Sequence, residues 1–338
     1  DQSQQVIDTF IGTGNYDIGH TVNTGGGGLA QVSSACSSTG KARGVTGTSS
    51  PSGYVFESIL MHELGHQFGS RHTFNGDTGG CNGNRTASSA YEPGSGTTIM
   101  SYGGICGSQN IQSTRDLYFH QKSLQSIWDN VRFNSTCATT APTGNSAPTA
   151  EAGASYSIPV GTPYKLTGVS TDSDGIISHT YCWEQYDLGP AGLPSETTSS
   201  GPLVRSFTGT DNPVRYIPNI PDLISLGGST EWERLVSVGR AITFRLTVRD
   251  NDSRGGQTAT SQMTVNTNES AGPFLVTSQS SNVTWSQGNT ETITWDVANT
   301  DSGAVNTPSV DILLSTNGGD SFDTVLATGV DNNCLLYT

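Results

Sequence analysis

The sequence predicts a multidomain protein, an α/β domain followed by all-β sandwich modules. Two observations predict it. Long runs of apolar residues at helical spacing fall only before residue 138, and beyond it apolar residues alternate in short runs broken by turn residues. A length of 338 residues allows two or three domains, each able to bury a core.

The first helix is expected over 52–68, where Val55, Phe56, Ile59, Leu60, Leu64 and Phe68 recur at helical spacing behind a Ser50-Pro51 start signal. The second is expected over 116–133, carrying Leu117, Leu124, Ile127, Trp128 and Val131, with a Gly-rich irregular stretch between the two. The segment ATTAPTGNSAP has linker composition, which sets the first domain at 1–138 and a linker at 139–148. Strands are then expected at 241–250, 260–267, 282–288 and 291–297. A break at NESAGP divides this half into a sandwich at 149–268 and a second module at 273–338. An immunoglobulin-like sandwich needs about 100 residues, so the second module is expected to be incomplete at its C-terminus.

Charge and cysteine content narrow the function classes. Lys and Arg number 15 against 29 Asp and Glu, a net charge of −14, which disfavours nucleic acid and anionic membranes as partners. Charged residues are 13% of the chain, against about 25% in a typical globular protein, and Ser, Thr, Asn and Gly carry the polarity, as in β-rich extracellular proteins. No apolar run approaches the length of a membrane span. Six dispersed cysteines without a CxxC pair fit disulfides in an oxidising compartment rather than a thiolate metal site.

Chemistry concentrates in HELGHQFGSRH, residues 62–72. His62 and His66 are four apart on a helix and aim both imidazoles at one point. Gly69 can take the left-handed conformation that ends the helix, and the turn returns His72 as a third ligand. Three neutral imidazoles with a fourth position open suit Zn²⁺. Glu63, not needed as a ligand, is available to accept a proton from water. A purely structural zinc site would close all four positions, usually with Cys, and would have no use for Glu63.

With this motif in view, the sequence resembles the metzincin zinc endopeptidases. TIMSYGGIC (98–106) matches their methionine turn, with Met100 as the turn residue 28 positions after His72. NYDIGH, GGGGLA, KARGVTG, HTFNG and YEPGSGTTIM resemble a secreted bacterial, reprolysin (adamalysin)-like branch, over about residues 7–135. The resemblance implies a zincin-like fold, protein or peptide substrates, secretion, and an upper cleft rim in which Gly28, Leu29 and Ala30 contact an extended substrate through backbone. It differs in three respects. Only 61 residues precede His62, so the domain is expected to lack its first strands and helix; Thr73 follows the third ligand where reprolysins carry Asp; and Tyr102 stands two residues after Met100, as in the astacin-like and serralysin-like branches. That position implies a tyrosine that stabilises the oxyanion.

Cys81 and Cys106 bracket the loop before and through the methionine turn, where a bridge would pin it. Cys36 with Cys137 would follow a reprolysin bridge, although spacing alone does not fix connectivity. Cys182 and Cys334 are expected to be unpaired, and His20 and His120 to serve surface or core roles. The β-half resembles polycystic-kidney-disease-type (PKD) and cadherin-like modules, in which Asp172, Asp174, Asp250 and Asp252 are candidate Ca²⁺ ligands against a default of solvated turns. The expected function is a secreted zinc metalloendopeptidase. The alternative is an extracellular adhesive protein whose sandwiches contact matrix or polysaccharide and whose metal domain is inactive.

Overall fold

The computed structural model describes residues 2–333 and the backbone of 335–337; Cys334 lies outside the described residues. The chain opens with α1 (Gln2–Phe10), β1 (Thr21–Asn23), β2 (Gly27–Ala30), β3 (Gly44–Gly47), α2 (Tyr54–Gln67) and α3 (Gln121–Phe133). The strands form a sheet in the order β1-β3-β2, with β1 parallel and β2 antiparallel to β3. Helix α2 lies across β2 and β3. Its end is fixed by Gln67, fully buried, whose amide bonds His20 Nδ1 at 2.7 Å and donates to the Gly19 carbonyl at 3.1 Å.

Both helices start later than their periodicity predicts. Helix α2 begins after Gly53, which sits at φ 88°, so Val55 falls in the first turn and is 60% exposed. Helix α3 begins at Gln121, because the backbone of the preceding residues is hydrogen-bonded to the methionine-turn segment. Asp116 N–H donates to Thr97 O at 2.7 Å and Ile99 N–H to Tyr118 O at 3.0 Å. His120 then caps the helix, accepting from Lys122 N–H at 3.0 Å.

Little of this unit's interior is apolar. Phe74, Cys81, Cys106, Ile99 and Met100 are buried, but so are Gln67, Thr73, Asn75, Glu92, Thr97, Thr98 and Ser101, and hydrogen bonds between them do much of the holding. Two disulfides close the irregular stretches, Cys36–Cys137 and Cys81–Cys106. The first closes a separation of 101 residues, the kind of long loop whose closure most restricts the unfolded chain.

The second half continues with β4 (Tyr156–Pro159), β5 (Tyr164–Thr167), β6 (Thr180–Gln185), β7 (Val214–Ile217), α4 (Ile220–Leu226), β8 (Arg240–Arg249) and β9 (Thr258–Asn268). A four-stranded sheet, β4-β9-β8-β6, packs against the pair β5-β7. Alternate residues of both layers, among them Leu166, Trp183, Ile217, Phe244, Leu246 and Val265, form one apolar core, as a two-layer sandwich requires. Cys182 is unpaired and buried; desolvation pushes its thiol up to about 12, and it donates to Phe207 O at 3.2 Å.

The last strands are β10 (Leu275–Val276), β11 (Thr292–Asp296), β12 (Ser309–Leu314), β13 (Thr324–Asp331) and β14 (Leu335–Tyr337). The strand expected at 282–288 does not form. Pairing of Val276 with Trp295 turns the residues between them into an exposed loop that has no neighbour to complete a ladder.

The segment 139–148 carries no helix or strand, and its second half is tied to the sandwich. Asn145 donates to Asp250 Oδ2 at 2.7 Å and Ser146 N–H to Asp174 Oδ2 at 2.7 Å. Of the four acidic residues at this end, Asp174 and Asp252 flank the Arg254 guanidinium at 3.3 and 2.7 Å, and Asp250 accepts from Gln257 N–H at 2.8 Å. Asp172 Oδ2 lies 3.4 Å from His179 Nε2. Asp172 accepts from Asp174 N–H at 2.8 Å through Oδ1, while its buried Oδ2 has no hydrogen-bond partner.

The sandwich also grips the N-terminal unit. Buried Glu184 on β6 accepts from Gln121 N–H at 2.8 Å and from Ser206 Oγ at 2.9 Å, while Ser206 O accepts from Thr97 Oγ1 at 3.0 Å. Arg249 on β8 donates to Phe119 O at 2.8 Å, and Tyr186 stacks on Tyr91 with centroids 4.0 Å apart. The segments that frame the candidate site therefore rest on β6 and β8.

Candidate metal and catalytic site

His62 and His66 project from one face of α2, both buried, and the chain turns at Gly69 (φ 97°) to bring His72 to meet them. A Cβ at Gly69 would lie 2.8 Å from Asn130 Cβ on α3, so the position needs glycine for space as well as for its dihedral. Each imidazole is oriented through Nδ1 by a backbone carbonyl: Ile99 O for His62 at 2.7 Å, Ser70 O for His66 at 2.8 Å, Asn84 O for His72 at 2.6 Å. Nδ1 must carry the proton in each bond, which leaves every Nε2 as a lone pair.

Those lone pairs converge. His72 Nε2 lies 3.3 Å from that of His62 and 3.1 Å from that of His66. Burial holds all three imidazoles below their ordinary pKa, His72 at about 4, with neighbouring imidazoles adding to the effect at His62 and His72 and Arg71 at His66, so protonation does not relieve the crowding. A cation does. Four ligands about a tetrahedral ion at ~2.0–2.1 Å stand roughly 3.3–3.4 Å apart, close to the observed edges. Among the described residues no other group of three or more His, Cys, Asp or Glu gathers in this way.

Met100 lies beneath the site, fully buried, on a turn whose preceding carbonyl orients His62. Gly65 permits that approach, since a Cβ there would meet Met100 Sδ at 2.5 Å. Glu63, the residue after His62, is 5% exposed, its Oε2 has no hydrogen-bond partner, and desolvation raises its pKa to about 7 against the opposing charge of Arg115. Gly28 lies directly over it, where any Cβ would overlap the Glu63 carboxylate. Strand β2 thus passes across the site, bonded to β3 on one edge only and with Leu29 74% exposed; Ala30 completes the strand. Tyr102 stands with its ring 4.5 Å from that of His72 and 5.7 Å from that of His62, and burial raises its phenol pKa.

Two residues of the site are missing from the sequence reading. Glu92, buried, accepts from Thr73 Oγ1 at 2.5 Å, from Thr98 Oγ1 at 2.6 Å, and from the Thr97 and Thr98 N–H groups at 2.9 and 3.1 Å. It binds the segment leaving His72 to the methionine turn. Its being the single charged residue between Arg85 and Arg115 was the available signal. Arg115, partly buried, is the second. His20 and His120 stand apart: His20 bonds Gln67 and Thr46, and His120 caps α3.

Residues 1–73 match the reprolysin-like metallo-peptidase family M12B. The match runs from α1 through the third histidine and the residue after it, and so contains all three histidines that could hold a metal ion; the family is zinc-dependent. No curated protein matches the chain. Among solved structures, the chain is similar to the solution structure of the PKD domain of human KIAA0319, at 12% identity, covering 41% of this chain and 96% of that chain with a TM-score of 0.23. Overlap at that score is too slight to carry a fold assignment. The reprolysin-like region has no helix long and apolar enough to cross a membrane, nor has any other described part of the chain.

Proposed function

We propose that the chain is a secreted zinc endopeptidase of the reprolysin-like branch of the metzincins, with a catalytic domain over 1–138, a linker at 139–148 and sandwich modules at 149–268 and 273–338. One observation carries the reading: three Nε2 lone pairs converge beside a buried carboxylate that has a free oxygen. Two disulfides accord with an oxidising, extracellular compartment.

His62, His66 and His72 would hold the ion. The chemistry that zinc supplies when bound is polarisation of the scissile carbonyl and acidification of water. Glu63 takes the proton of the attacking water and returns it to the leaving amine, a shuttle for which a carboxylate with a pKa near neutrality is matched. Gly28, Leu29 and Ala30 offer an unpaired strand edge on which an extended peptide can lie, bound through backbone. Gly28 keeps that strand close to Glu63, so the bound peptide bond runs past the base. Tyr102 donates its phenolic hydrogen to the developing oxyanion.

Chelation tests the reading. The purified chain should cut an unstructured protein internally, lose that activity when zinc is removed and regain it when zinc is restored, with products identified by mass spectrometry. A chain that binds zinc stoichiometrically but yields no fragments would point instead to a metal-stabilised adhesive protein. Tyr102→Phe should lower kcat by about 100- to 1,000-fold with little change in zinc affinity, on the scale of losing one oxyanion donor. An unchanged kcat would remove Tyr102 from the mechanism.

A further inference from the structure

Arg115 is a charged group at the cleft for which the peptidase reading has no use. It enters from the segment after the methionine turn and lies along α2: its Nη2 donates to Ser58 Oγ at 3.2 Å, and its carbonyl accepts from the Tyr54 hydroxyl. Tyr54, Ser58 and His62 are each four residues apart on that helix, so Arg115 runs along the face that bears the first imidazole. Its hydrogen-bond partner Ser58 stands one helical turn before His62, and its charge is felt at Glu63, Tyr102, His62 and His72.

The guanidinium is also unspent. Arg215, Arg240 and Arg254 each pair with a carboxylate, at 2.8, 3.6 and 2.7 Å respectively. Among the described residues, no carboxylate lies within 4.0 Å of Arg115. It is therefore not the ion-pair partner of Glu63. A guanidinium has five N–H donors in a planar fork that matches a carboxylate, and Arg115 spends one on Ser58. Leaving a partly buried cation unpaired costs stability unless something else pairs with it, and in a chain of net charge −14 the protein had carboxylates to spare for the purpose.

We infer that Arg115 receives a carboxylate of the substrate close to the scissile bond, and so sets cleavage specificity. The inference rests on the endopeptidase reading of this cleft. The carboxylate has two sources, an Asp or Glu side chain beside the cleaved bond or the free C-terminus of the substrate. An acidic side chain would give cleavage at acidic sites within chains, and a C-terminus would give release of short C-terminal fragments.

The test uses quenched peptides that differ only in carrying Asp or Asn at each position around the centre, with free or amidated C-termini. The zinc-loaded chain should show a kcat/KM at least tenfold higher for one carboxylate-bearing peptide than for its amide twin, and the position of that carboxylate identifies the source. In Arg115→Gln the ratio should fall to about one, and in Arg115→Glu Lys should be preferred over Asn at the same position. If Arg115→Gln does not fold, Arg115→Lys keeps the charge without the fork and should lower the ratio.

Calorimetry on the metal-free chain with the same peptides gives a second readout, free of any direct carboxylate–metal contact. Tighter binding of the carboxylate peptide, lost in Arg115→Gln, would support the site even if no peptide were cut, in which case the peptidase reading alone would fail. Equal treatment of both members of every pair by the unmodified chain, in cleavage and in binding, overturns the inference. A preference that survives intact in Arg115→Gln does the same.

Discussion

Glu63→Gln should slow peptide hydrolysis by about 100- to 10,000-fold, the range lost with a general base, while the chain still holds zinc stoichiometrically. Gln preserves the size of the side chain under Gly28 and keeps a hydrogen-bonding oxygen, but it cannot take a proton at neutral pH. None of the converging lone pairs belongs to Glu63, and each imidazole is oriented by a backbone carbonyl that the substitution leaves alone. Steady-state kinetics paired with metal analysis separates the two effects. Equal loss of zinc and activity would mean that Glu63 supports the site structurally, and unchanged activity would exclude it as the base.

Glu92→Ala should destabilise the N-terminal unit by about 3–5 kcal/mol, the scale of leaving several buried donors without an acceptor. The Thr97 and Thr98 N–H groups point at this carboxylate from the methionine-turn segment, and the Thr73 hydroxyl does so from the residue after His72. Alanine offers none of them a partner. Because the same atoms set the separation of His72 from the turn that orients His62, zinc affinity should fall as well, unlike in Glu63→Gln. Urea unfolding followed by zinc titration measures both. Stability within 1 kcal/mol of the parent, about the contribution of a single ordinary hydrogen bond, would mean that water replaces the carboxylate at that junction.

The contrast between these two glutamates marks what the sequence discloses. Glu63 is legible because a helix converts spacing directly into direction, so a His-Glu-x-x-His run fixes three side chains without knowledge of the rest of the fold. Met100 and Gly28 are legible through family resemblance, although the reason Gly28 is glycine, its approach to Glu63, emerges only in three dimensions. Glu92 and Arg115 act across 19 and 57 residues respectively, in segments without periodicity, and no local pattern announces such contacts.

The same limit explains the errors in the elements. Helical spacing of apolar residues placed the start of α3 at 116, but the backbone of residues 116–119 is held by the methionine-turn segment, a tertiary demand that overrides local preference. The alternation at 282–288 had the composition of a strand but no neighbouring strand to pair with. Contacts from Glu184 and Arg249 to the N-terminal unit were equally invisible, since each joins a sandwich residue to backbone more than 60 residues away.

The largely polar interior of the N-terminal unit has a thermodynamic corollary. Exposing apolar surface raises the heat capacity on unfolding, whereas exposing amides, hydroxyls and carboxylates lowers it. A unit that buries Gln67, Thr73, Asn75, Glu92, Thr97, Thr98 and Ser101 among few large apolar side chains has a smaller heat-capacity increment than an oily domain of equal length. Its stability curve is correspondingly shallow, with the cold and hot limits far apart. Stability then changes little with temperature over a wide range around its maximum.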